Sequence, residues 1–223
     1  MAAKIIVFCN VKGGPGKTTL AVNVAATLAQ KHKVAVIDAD PQQSAVKYDS
    51  DAPDGQGLPM PVVGYPEEKI NHTLRKLIND YDYIVVDTPP SSLAISNITK
   101  SALIPADLAI VPVVPSPLGI RETLPMSALF AEINELRESA DAPPLQSRLV
   151  INRYDPRKSL SQQLPAALKN IPVKLMRTKI RDREAYNHAA LDGCSVHETR
   201  ASGWDDASED IQKLTEEIRK IIG

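Results

Sequence analysis

Residues 12–19 read Lys-Gly-Gly-Pro-Gly-Lys-Thr-Thr, a composition suited to closing a backbone cradle around phosphate. Glycines let main-chain N–H groups turn onto phosphate oxygens, and a lysine followed by a hydroxyl meets the terminal phosphates and Mg²⁺. Gly13, Gly14, Pro15, Gly16, Lys17, Thr18 and Thr19 supply that nucleotide-binding set. Lys12 is surplus to it. A lysine pointing out of a loop already filled by its own nucleotide carries charge suited to another subunit's phosphates. The loop predicts a nucleotide, and the extra lysine predicts a dimer.

Two acidic segments fit the same chemistry. Asp38-Ala39-Asp40-Pro41-Gln42 follows the apolar run Val34–Ile37, and Asp87-Thr88-Pro89-Pro90 follows Tyr83–Val86. A carboxylate at such a strand end can orient a water or hold Mg²⁺ through its hydration shell. Either aspartate alone reads more often as a strand-end cap or turn residue. Beside the glycine loop, both are expected to serve the nucleotide's metal and water.

The elements that must carry these residues alternate along the chain. Lys4–Cys9, Val34–Ile37, Tyr83–Val86, Leu108–Val111 and Leu149–Ile151 are short apolar runs rich in β-branched residues, as buried parallel strands require. Helical spacing is expected over Thr18–Gln30, near 67–79, 92–103, 119–139 and 159–169, and over Ala207–Ile222. This predicts an α/β fold: a mostly parallel, twisted sheet with helices on both faces and ligands at the strands' carboxyl ends. The first helix aims its positive N-terminal end at the glycine loop. Residues 51–66, dense in Pro, Gly and Asp, read as a surface excursion.

At 223 residues and 43% hydrophobic content the chain suits one domain. With the glycine loop starting at residue 12, no N-terminal helix-turn-helix domain is expected. Two cysteines, Cys9 and Cys194, offer neither a disulfide framework nor a paired metal site. With no signal-peptide pattern and no bilayer-spanning run, a cytoplasmic address is expected.

The net charge of −1 conceals segregation: residues 148–183 hold ten basic and two acidic residues, a net +8 that leaves −9 for the remainder. Such a footprint suits a phosphate backbone. Arg153, Lys158, Arg177, Lys179, Arg181 and Arg183 are the candidate DNA-binding residues, with Arg177, Arg181 and Arg183 leaving a last strand toward a helix. Few aromatics interleave with them, which favours non-specific duplex over single strands. The alternative is a solvated basic face balancing an acidic C-terminal helix.

Taken together, Lys12, the segment 38–42 and the segment 87–90 resemble the ParA/MinD family of deviant-Walker P-loop ATPases along essentially the whole chain. The length and the segment Val111-Pro112-Val113-Val114-Pro115-Ser116-Pro117 are most similar to small plasmid-partition ParA proteins. The resemblance implies an ATP-sandwich homodimer in which Lys12 reaches the partner's ATP, Lys17 holds the β and γ phosphates, Thr18 ligates Mg²⁺ and Thr19 contacts the α phosphate. It further implies that Asp40 positions the attacking water, that Asp38 and Asp87 support the metal, and that Asn152 contacts adenine. A slow switch is expected, associated with nucleoid DNA and stimulated by a ParB-like adaptor that couples it to plasmid or chromosome cargo. The same machine moving a protein cargo such as carboxysomes or chemoreceptor clusters is the alternative. A MinD-like membrane cycle and a metabolic ligase on a related fold stand further off, since the C-terminal helix mixes acidic with basic residues and is expected to pack on the core.

Overall fold

The computed structural model describes residues 2–53, 57–90, 97–199 and 201–223. In chain order the elements are β1 (Lys4–Phe8), α1 (Lys17–Ala29), β2 (Val34–Asp38), α2 (Ser44–Ser50), β3 (Val62–Gly64), α3 (Ile70–Leu77), β4 (Tyr83–Asp87), α4 (Asn97–Leu103) and β5 (Leu108–Val113). There follow α5 (Pro117–Arg121), α6 (Thr123–Glu138), β6 (Gln146–Tyr154), α7 (Ser159–Ala167), β7 (Lys174–Arg181), α8 (Ala185–Leu191) and α9 (Trp204–Ile222).

The strands form one sheet in the order β3-β2-β4-β1-β5-β6-β7, every neighbouring pair parallel. Central strands are apolar on both faces because both faces are covered. Ile6, Phe8, Val36, Val85 and Ile110 point toward a core shared with α1 and α9. Ile5, Val7, Ile37, Ile84 and Val111 point to the opposite core, packed with α3, α4 and α6. The strand order reverses between β1 and β5, so the crevice at the carboxyl end of β1 is where this fold collects ligands.

Three sequence expectations are refined. The single helix over 119–139 is two, α5 and α6, which meet at Glu122. Ser116 caps α5, its Oγ accepting from the Gly119 N–H at 2.9 Å. The helix near 92–103 begins its described part at Asn97, and residues 91–96 lie outside the described residues. The excursion 51–66 ends in the short edge strand β3.

The expected packing of α9 is observed: Ile211, Leu214, Ile218 and Ile222 are buried in the core. Its acidic side protects the sheet's other edge. The Glu217 carboxylate accepts from the backbone N–H groups of Arg177 (2.8 Å) and Thr178 (2.9 Å) on β7. These two N–H groups are thereby withdrawn from pairing with another strand.

Candidate functional site

The loop between β1 and α1 is held open from three sides. Gly14 and Gly16 have φ of +90° and +92°, a region closed to most L-residues. Asn10, buried just ahead of the loop, donates from Nδ2 to the Pro112 carbonyl at 2.7 Å, tying the loop's entry to β5. Asn152, at the carboxyl end of β6, donates from Nδ2 to the Pro15 carbonyl at 2.7 Å. A Cβ on Gly16 would lie 2.2 Å from that same Nδ2, so the close approach as well as the dihedral requires glycine.

Lys17 is almost fully buried, and its Nζ donates to the Lys12 carbonyl at 3.2 Å. Burial lowers its pKa, while Asp87, Cys9 and Asp40 act in the opposite direction. Its amine is thus buried at the base of the loop, close to the carboxylates of Asp87 and Asp40. Lys12 lies at the loop's mouth with its side chain 54% exposed, and its Nζ sits 3.4 Å from Glu122 Oε1.

Thr18 Oγ1 donates to Asp87 Oδ2 at 2.5 Å, while Asp87 Oδ1 is buried without a hydrogen-bond partner. Burial pushes the Asp87 carboxyl up to about 7, with Thr18 and Lys17 opposing the rise and Asp38 and Asp40 adding to it. A hydroxyl beside an orphaned carboxylate oxygen is a hard-oxygen donor set of the kind Mg²⁺ prefers. Thr18 and Asp87 thus fit the metal role expected of them.

Asp38 does not fit it as directly. Its Oδ2 accepts from the N–H groups of Ala45 (2.7 Å) and Val46 (3.1 Å), and its Oδ1 accepts from Asp40 N at 3.1 Å. The carboxylate is spent on the α2 N-terminus and on the turn that carries Asp40. Asp38 is thus tied to the α2 N-terminus and to the Asp40 main chain. Asp40 itself is buried near the loop, its Oδ1 accepting from Gln42 N at 2.9 Å. Gln43, at φ +51°, is the left-handed residue that turns the chain from Asp40 into α2.

Beside Gly16 and Thr19 lies a cavity of about 140 Å³, walled by Asn152, Arg153, Arg181 and Asn187 among others. It lies directly against the phosphate loop. Arg153 and Arg181, expected on a DNA face, therefore border the nucleotide crevice. Arg183 is corrected more strongly: its guanidinium pairs with Asp206 at 2.9 Å and Asp210 at 3.6 Å and is only 17% exposed. Lys158 lies 3.8 Å from Asp155, and Lys179 stacks its Nζ over the Tyr154 ring at 4.5 Å. Arg177 is exposed on β7. The ten cations of the basic segment are thus partly neutralised by local acids and do not form one uninterrupted field.

Asn10 and Glu122 join the loop without belonging to its motif. Asn10 directly precedes the loop and carried a local signal. Glu122 comes to the site only through the α5–α6 elbow, more than a hundred residues from the loop in sequence, and had none.

A parallel sheet with a glycine loop at its switch point, a buried lysine and a Thr–Asp pair defines a P-loop nucleotide-binding protein. The CobQ/CobB/MinD/ParA nucleotide-binding domain model matches residues 6–196, and the chain belongs to that family of ATPases. It is 33% identical to maintenance of carboxysome distribution protein A of Halothiobacillus neapolitanus over 215 residues, covering 94% of each chain. Its fold is that of Cyanothece McdA in complex with ATP, with a TM-score of 0.77, 20% identity and coverage of 98% of this chain and 97% of that one. A plasmid partition protein of Borrelia burgdorferi superposes with a TM-score of 0.71 at 20% identity, with 99% of both chains covered.

Among the described residues no helix is long and apolar enough to cross a membrane.

Proposed function

We propose that this protein is an ATP-driven positioning switch: two copies close around ATP, the pair holds non-specific duplex DNA, and hydrolysis releases it. The observation that carries the reading is the division of labour between two lysines. Lys17 is folded inside the loop, and Lys12 stands at its mouth with a side chain 54% exposed, paired with Glu122 at 3.4 Å.

In this reading the backbone of residues 13–16 and Lys17 bind the β and γ phosphates, and Thr19 meets the α phosphate. Thr18 and Asp87 would hold Mg²⁺, which neutralises phosphate charge when bound. Asp40, oriented by Asp38, aligns the attacking water. Lys12 arrives only with the partner, so hydrolysis waits on pairing and acts as a timer. Asn152 keeps its Nδ2 on Pro15 and presents its other amide atom to the adenine. Arg177, Lys158 and Lys179 contribute to the DNA face, joined by Arg153 and Arg181 where they emerge from the crevice.

The similarity to a carboxysome-distribution protein along nearly the whole chain favours a protein assembly as cargo. The fold shared with a plasmid partition protein keeps DNA cargo as the second reading. Either cargo would be engaged through an adaptor that stimulates hydrolysis. A membrane surface is disfavoured because the apolar side of α9 is consumed by the core. The test is a titration onto non-specific duplex DNA in ATP and in ADP, with anionic liposomes as the competing surface. ATP-dependent, sequence-indifferent duplex binding is expected; liposome binding without DNA affinity would overturn the reading.

A further inference from the structure

The side chain of Lys12 does not extend freely into solvent. Its ammonium leans 3.4 Å from Glu122 of its own subunit, and the Glu122 side chain is only 15% exposed. Both ends of this contact are anchored. The Lys12 main chain is fixed through its N–H, which donates to Asn10 Oδ1 at 3.4 Å, and through its carbonyl, which accepts from Lys17. Glu122 sits at the α5–α6 elbow, where its N–H donates to the Leu118 carbonyl at 3.0 Å and the next residue, Thr123, donates from Oγ1 to the Ile120 carbonyl at 2.6 Å. Gly119 packs so closely in this elbow that a Cβ there would lie 2.3 Å from the Val114 carbonyl oxygen. The elbow is therefore a rigid platform for the carboxylate.

We propose that Glu122 is a positioning residue that restrains Lys12 within its own subunit and so sets the threshold for ATP-dependent pairing. The inference rests on the sandwich reading above. To reach a partner's phosphates, Lys12 must exchange this carboxylate for the polyphosphate. A largely buried carboxylate left behind faces incoming negative charge, and both the lost ion pair and the like-charge approach oppose closure. The restraint keeps nucleotide-free or half-loaded subunits apart. Leu118 and Leu124, 53% and 56% exposed on either side of Glu122, lie on the same elbow.

The experiment compares wild type, Glu122→Gln, Glu122→Asp, Lys12→Ala and the Lys12→Ala/Glu122→Gln pair for dimer formation by sedimentation across protein concentration in Mg-ATP. Glu122→Gln keeps shape and removes charge, and it is expected to pair at about 3- to 5-fold lower concentration than wild type. Glu122→Asp retains the charge and is expected to pair near the wild-type threshold. The double variant is expected to pair no better than Lys12→Ala. A gain in pairing is a readout that a folding defect would not produce. If wild type pairs and Lys12→Ala is impaired, yet Glu122→Gln pairs at an equal or higher concentration, the restraint is overturned and the sandwich stands. If wild type fails to pair in Mg-ATP, the sandwich itself falls.

Discussion

The amide of Asn152 donates to the carbonyl of Pro15 at 2.7 Å, joining the end of β6 to the crest of the phosphate loop. This bond ties a residue distant in sequence to the phosphate loop. Asn152→Ala is expected to weaken ATP binding about tenfold, in keeping with a lost buried hydrogen bond. Gly16→Ala is expected to abolish binding, since it collides with the same amide and adopts a forbidden φ. Calorimetric titration with ATP checks both; unchanged affinity in Asn152→Ala would show that the loop holds its shape without the latch.

Asp87 gives the nucleotide-free protein a defined pH response. Burial raises its pKa from 3.8 to about 7. The folded chain therefore binds the proton more tightly than the unfolded one. The linked stability is fully present below the unfolded pKa and is lost as pH rises toward about 7, staying level above it. Asp87→Asn is expected to flatten this slope while impairing Mg²⁺-dependent nucleotide binding. Urea denaturation at pH 5 and pH 8 reads it; equal slopes in the two proteins would contradict the assignment.

Arg177 and Arg183 are expected to separate. Arg177→Glu, on an exposed stretch of β7, is expected to lower duplex affinity and reduce the steepness of its salt dependence, which for about six phosphates neutralised per dimer has a log-log slope of about −5. Arg183→Glu strands Asp206 and Asp210 and is expected to cost about 2 kcal/mol of stability instead. Thermal melts with anisotropy titrations distinguish the two. Loss of DNA binding at unchanged stability in Arg183→Glu would return that residue to the DNA face.

Much of this molecule is legible in its sequence, for identifiable reasons. Strands such as Ile84–Val86 are buried on both faces and announce themselves as unbroken apolar runs. The stripe Ile211, Leu214, Ile218 and Ile222 announces α9 by its spacing. The short strand β3 is hidden between Pro61 and Tyr65 because its strand character comes from pairing with β2. The helix α2 is hidden because its cap, Asp38, comes from six residues before it, across a turn. For the same reason the hydrogen bonds that Asp38 makes to α2 are not visible in the sequence. The basic segment is visible in the sequence as a run of like charge, yet the acids that neutralise Arg183 lie on α9, and only the fold brings them together.

ATP is expected to bridge two copies of this chain through Lys12. The most direct measurement is the sedimentation of Asp40→Ala, which is expected to retain ATP unhydrolysed. In Mg-ATP it should sediment at twice the chain mass. In Mg-ADP, and in Mg-ATP when Lys12→Ala is added to the same background, it should sediment as a single chain. A single chain under all three conditions, or a pair that forms regardless of Lys12, would contradict the account.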